Sequence, residues 1–136
     1  MITADSSVWI DYLAGRPTPA ATALDAVLDD ASRDVVLLDV VLMEVLRGFR
    51  HEREWQLAQE ALLGLPLSVA GGQTVALRAA GLYRSLRQGG VTVRSPIDLL
   101  VGAWCIENNC TLIHNVRDFA SMQCRGLQVW GDLPYA

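Results

Sequence analysis

The sequence predicts an α/β sandwich, with helices on both faces of a mostly parallel sheet. Three observations carry this. Short apolar runs such as Val35–Leu38 alternate with helical stretches along the chain. That run is unbroken, as in strands covered on both faces. A chain of 136 residues, 51% hydrophobic and 19% charged, holds enough apolar material for one packed core. No repeat, low-complexity tract or linker divides it, so residues 1–136 read as a single domain.

The elements follow in order. Ile2 to Asp5 is a short strand that stops at an acid. Asp5 or Ser6 can cap a helix through Val8, Ile10 and Leu13, ending at Gly15. After the turn Arg16-Pro17-Thr18-Pro19, a helix covers about 18–31, with Ala21, Leu24, Val27 and Leu28 on one face. Val35–Leu38 is the second strand. Asp39 can cap a helix over about 40–51, whose apolar stripe is Leu42, Val45, Leu46 and Phe49. Another helix covers about 52–63 and ends at Gly64, and Leu67–Val69 is the third strand. A long helix over 73–88 is stopped by Gly89-Gly90. Ser95-Pro96 places a cap residue before a proline at the first helical position, and that helix runs to about Glu107. Thr111–Ile113 and Leu127–Trp130 supply the fourth and fifth strands.

Composition excludes several classes. A net charge of −4 does not suit a binder that relies on a broad basic surface. The longest uncharged apolar run, Leu99–Ile106, is eight residues, far below the ~18–20 needed to span a bilayer. The amino terminus lacks a basic region and meets Asp5 at once, unlike a secretory signal. Cys105, Cys110 and Cys124 lack C-x-x-C spacing, which argues against a zinc site or a disulfide framework. Reduced cysteines in a cytoplasmic protein are the expectation. No glycine-rich loop follows the first strand, which argues against a nucleotide-cofactor enzyme.

Sites in open α/β sheets form beyond the carboxyl ends of the strands. Asp5 ends the first strand, and Glu44 sits near the start of the helix after the second. Asp98 lies in the first turn after Ser95-Pro96, and Asp118 follows the fourth strand by a short loop. Each has an ordinary role open to it: capping, the helix dipole, or pairing of Glu44 with Arg47. Their conjunction on one edge of the sheet is what points to a site. Two unit charges ~4 Å apart repel by about 4 kcal/mol at an effective dielectric near 20, so such acids either protonate or hold a cation. An oxygen-only donor set favours Mg²⁺ or Mn²⁺. The reaction class that follows is metal-assisted phosphodiester hydrolysis.

These residues also carry a family resemblance. Ile2-Thr3-Ala4-Asp5-Ser6-Ser7-Val8-Trp9-Ile10-Asp11-Tyr12-Leu13 resembles the opening of PIN-domain ribonucleases, above all the VapC toxins of type II toxin–antitoxin systems. Glu44-Val45-Leu46-Arg47-Gly48-Phe49, Pro96-Ile97-Asp98-Leu99-Leu100-Val101-Gly102-Ala103 and Leu112-Ile113-His114-Asn115-Val116-Arg117-Asp118-Phe119 resemble their second, third and fourth motifs, in order. The resemblance implies a PIN-like three-layer α/β/α sandwich with about five parallel strands in the order 3-2-1-4-5. It implies Mg²⁺- or Mn²⁺-dependent endoribonuclease activity on tRNA, rRNA or mRNA, a homodimer, and inhibition by a cognate VapB-type antitoxin. Asp5, Glu44, Asp98 and Asp118 become the catalytic, metal-binding acids, with Ser7 and Asn115 in support. Many members carry an acid where this chain has Val116. That departure points to one tightly held ion, with a second recruited by substrate phosphate.

Arg47 and Arg117 are the arginines expected at the cleft, positioning RNA through phosphate contacts. Arg47, Arg50 and Arg53, spaced by three, are read as lying on neighbouring faces just beyond Glu44. His114 is expected beside the cleft as a structural polar contact, and His51 at the surface. Trp9–Leu13 and Leu42–Trp55 are expected to form an apolar trough for an antitoxin helix. The competing reading is a non-catalytic PIN-like module that binds RNA or protein. A weaker third is another metal-dependent phosphohydrolase on a related sheet.

Overall fold

The computed structural model describes residues 1–131, 133 and 134. The expected single domain extends to residue 136, and residues 132, 135 and 136 lie outside the described ones. The strands are β1 (Ile2–Ala4), β2 (Leu37–Leu38), β3 (Leu67–Ser68), β4 (Thr111–Ile113) and β5 (Gln128–Val129). The helices are α1 (Ser6–Leu13), α2 (Pro19–Asp29), α3 (Asp39–Leu46), α4 (Glu52–Leu63), α5 (Gly72–Gln88), α6 (Pro96–Glu107) and the short α7 (Arg117–Ala120).

All recorded strand pairs are parallel. They form a three-stranded group β1-β4-β5 and a two-stranded group β2-β3. Between the groups lies a single parallel bridge, Ile2 with Val35. It is held by Ile2 N donating to Asp34 O at 2.8 Å and Val36 N donating to Ile2 O at 2.9 Å. The Thr3 hydroxyl also donates to Val36 O at 2.6 Å. The second strand is thus shorter than its apolar run, and pairing changes partner within Val35–Leu38: the first residues lean on β1, and Leu37–Leu38 pair with β3.

Successive strand residues point to opposite faces. Ile2, Thr3 and Ala4 are all buried, as are Leu37 and Leu38 and, in β4, Leu112 and Ile113. Both faces are therefore covered, and α2 and α6 both pack against β4. Val8, Leu24, Val41, Val45, Val101 and Phe119 complete the core from the helices.

Two helix boundaries bear on the site. Ser95 caps α6 through its hydroxyl, as expected, and Thr18 caps α2 in the same way just ahead of Pro19. α3, by contrast, stops at Leu46, not near His51. Gly48 and Phe49 donate to Val45 O and Leu46 O in a tightened last turn, where glycine costs ~1 kcal/mol against further helix. Arg47, Arg50 and Arg53 consequently occupy the end of α3, the connecting turn and the first turn of α4. Asp39 is the first residue of α3, not its cap. Its carboxylate accepts from Val40 N at 2.8 Å and from Ala70 N at 2.9 Å, tying α3 to the segment after β3.

Candidate active site

Asp5 leaves the carboxyl end of β1 and caps α1, accepting from Val8 N at 3.4 Å. Its own N–H donates to Ile113 O at 3.2 Å, which places it beside the end of β4. Only 3% of Asp5 is exposed. An open cavity of about 420 Å³ lies in front of it, lined by Asp5, Ser7, Glu44, Arg47, Ser95 and Asp98 among others. Three sequence-distant acids therefore meet in one cleft. Asp118, in the first turn of α7, stands outside the lining but close enough for its charge to act on Asp98.

The electrostatics show that these carboxyls are in tension. Burial pushes the Asp5 carboxyl up to about 7, the Ser7 hydroxyl opposes that rise, and the Asp98 charge adds to it. Burial likewise raises Asp98 to about 6, helped by the charges of Glu44 and Asp118. The influence runs from Asp118 and Glu44 through Asp98 to Asp5. Among the described residues, no three His, Cys, Asp or Glu side chains converge closely enough to ligate one ion together. The cluster is coupled through charge and is not a closed cage.

Serines anchor two of the acids. The Ser6 hydroxyl donates to the Glu44 carboxylate across 38 residues of chain. Ser7 Oγ lies 2.9 and 3.1 Å from the Asp5 oxygens and 2.7 Å from Asn115 Oδ1. One hydroxyl proton cannot serve all three acceptors. With Asp5 protonated, its O–H donates to Ser7 and Ser7 donates to Asn115. With Asp5 ionised, the Ser7 proton turns to Asp5, and the Asn115 amide must turn its Nδ2 toward Ser7. That Nδ2 is buried with no partner as placed. Ser7 and Asn115 thus form a relay whose direction follows the charge on Asp5.

Arg47 lines the cleft, with its guanidinium 4.0 Å from Glu44 and largely exposed. Arg117 is exposed at the start of α7 and does not line it. His114 lines a separate cavity with Trp130 near the end of β5. Its Nδ1 accepts from Val116 N at 3.2 Å, its ring packs on Phe119, and burial lowers its pKa. His51 is at the surface, as expected. The Trp9–Leu13 and Leu42–Trp55 segments meet through α1–α3 packing. Trp9 itself is buried there, leaving Ile10 and Met43 as the exposed apolar residues of these two helices. Sequence reasoning missed Ser6 and Ser95 as cleft residues. The run Asp5-Ser6-Ser7 at a helix start was the signal for Ser6.

Fold and cleft together define an α/β protein with an acidic site at the carboxyl edge of a parallel sheet. Residues 2–123 match the PIN domain family. VapC ribonuclease Mb1587 of Mycobacterium bovis and ribonuclease VapC11 of Mycobacterium tuberculosis are each 30% identical over 120 residues, covering 88% of this chain and 89% of theirs. Among solved structures, VapBC2 from Rickettsia felis bound to a promoter DNA fragment aligns with a TM-score of 0.76 at 18% identity, covering 96% of this chain and 98% of that one. A toxin–antitoxin complex from Klebsiella pneumoniae aligns at 0.67 and 23% identity, covering 88% and 91%. The chain belongs to the PIN-domain family, among its VapC members.

Proposed function

We propose that this protein is a metal-dependent endoribonuclease toxin of the VapC kind, hydrolysing RNA phosphodiester bonds and restrained by a VapB-type antitoxin. The observation that carries the reading is the buried Asp5 facing Asp98 and Glu44 in one cleft. The curated relatives are ribonucleases by name, and the Klebsiella neighbour is a toxin–antitoxin complex; both support it.

The donor set fits a hard divalent ion, Mg²⁺ or Mn²⁺. It consists of carboxylate oxygens, and a cation offsets both the burial that raises Asp5 and Asp98 and the neighbouring acids that add to the rise. Mg²⁺ keeps several waters and takes one or two carboxylates, so an open cluster suits it. Asp5 and Asp98 would hold the ion, with Glu44 and Asp118 adding negative charge. A bound ion of this kind polarises a phosphoryl oxygen and lowers the pKa of a bound water. The chain's own residues supply placement. Ser7, backed by Asn115, fixes the Asp5 carboxylate, and Ser6 fixes Glu44. Arg47 offers a fork of N–H donors to backbone phosphate at the cleft rim, and Arg117, exposed outside the lining, would meet a phosphate beyond the cleft. The same reading gives a cytoplasmic homodimer, one domain over residues 1–136, and a sheet in the order β3-β2-β1-β4-β5 across the Ile2–Val35 bridge.

Asp5→Asn tests it. Asparagine keeps the helix cap, so the variant folds with an unreduced melting temperature. RNA cleavage and growth arrest are both lost. Growth arrest that survives the change would hand the assignment to the non-catalytic binding module.

A further inference from the structure

The turn between α3 and α4 holds a second cavity. It has a volume of about 230 Å³ and is lined by Phe49, Arg50, His51, Glu52 and Trp55. The catalytic cleft ends at Arg47 and Gly48, and this cavity begins at the next residue. Pockets for drug-sized molecules start near ~300 Å³, so this one has room for a single planar group. Its chemistry is mixed: two half-exposed aromatic rings, a histidine, an arginine and a glutamate. His51 gives α4 no side-chain cap, and no ion pair among the described residues uses Arg50. Phe49 also packs against the core and Glu52 accepts from the Gln56 amide at 3.1 Å, whereas Arg50 and His51 make no side-chain hydrogen bond or ion pair among the described residues.

From this we infer that the α3–α4 turn is a nucleobase subsite: it takes one unstacked base of single-stranded RNA next to the phosphate held in the cleft. The inference rests on the ribonuclease reading above and names where that enzyme would read its substrate. Unpaired bases bind proteins by stacking on aromatic rings and through polar groups at their edges. Trp55 and Phe49 provide the rings, Glu52 accepts from a base N–H, and Arg50 reaches the adjoining phosphate. An apolar helix from a protein partner suits the cavity less well, because three of its five lining residues are polar or charged.

The test maps cut sites in a random-sequence single-stranded RNA pool, using the full chain with Mn²⁺. Wild type is expected to show a base preference at one fixed position beside the cut. Trp55→Ala flattens that preference and raises KM roughly tenfold while kcat at saturation is kept. Trp55→Phe restores both. Arg50→Ala, at an exposed position that does not threaten folding, raises KM and keeps the preference. A Trp55→Ala protein with unchanged preference and KM overturns the inference. So does one that cleaves normally but no longer binds a VapB-type antitoxin, because the pocket then serves a protein. A wild type that cuts no RNA overturns the ribonuclease reading itself, a different result from an intact nuclease indifferent to Trp55.

Discussion

The two ends of α6 are built on opposite principles. At its amino end Ser95 caps the helix by accepting from Asp98 N at 3.2 Å. Asp98 then stands half-buried among like charges, its carboxyl raised to about 6. At its carboxyl end the Asn108 amide donates to Trp104 O at 2.9 Å and Glu107 pairs with Arg78. Asn109 takes a positive φ of 50°, and Cys110 N donates to Cys105 O at 2.9 Å. This is the 6→1 bond of a Schellman-type end, with the apolar contact between the same two positions made here by two buried thiols. One helix thus joins a settled end that secures the fold to a strained end that faces the cleft. Stability and function are held apart along about 18 Å of helix, at 1.5 Å per residue.

That contrast is sharpened first by pH. Asp5 binds its proton more tightly in the folded chain than its ordinary value of 3.8 implies. In metal-free protein its contribution to stability is therefore complete below about pH 3.8 and is lost as pH rises through about 7. The loss is on the order of 4 kcal/mol, at about 1.4 kcal/mol per pKa unit. Asp98 acts in the same direction up to about 6. Denaturant titrations in a chelator between pH 4 and 8 should show this fall, and the Asp5→Asn protein should show a smaller one. A flat profile would mean that the cleft carries no electrostatic tension.

Next comes the relay. Ser7→Ala removes the hydroxyl shared by Asp5 and Asn115, and cleavage should drop by roughly 10–100-fold, as for other groups that orient metal ligands. The melting temperature should barely move, which separates orientation from folding. The smallest effect belongs to the settled end. Asn109→Ala replaces a residue that tolerates the left-handed region at φ 50° with one that does not, and should cost about 1 kcal/mol, read by chemical denaturation. Cleavage per folded molecule should stay unchanged, and Asn109→Gly should show no such cost. A change in cleavage would break the separation of the two ends.

Much of this site was legible in the sequence, because it follows from chain order. Asp5 closes an apolar strand, and Ser95-Pro96 announces a helix whose first turn holds Asp98. Parallel pairing of β1 with β4 then brings Asp5 and Asn115 to the same edge. What escaped depends on contacts between distant residues. Ser6 reaching Glu44, and Asp39 accepting from Ala70, are invisible to any local pattern. The helical stripe of 40–51 concealed the early end of α3, where Gly48 and a tightened turn prevail over periodicity. His114 and Asn115 are adjacent, yet Asn115 meets Ser7 while His114 lines another cavity. That follows from the alternation of side chains beyond a strand, and the sequence does not say which of the two faces the cleft.

The central claim is that Asp5 and its neighbouring acids hold a divalent cation. Calorimetric titration of Mn²⁺ at pH 7, repeated in buffers of different ionisation enthalpy, tests it most directly. With its carboxyl at about 7, Asp5 is partly protonated there, so binding must release protons. The release should fade by pH 8.5 and be absent in Asp5→Asn. Heats without proton release at pH 7, or Mn²⁺ binding indifferent to Asp5→Asn, would contradict the account.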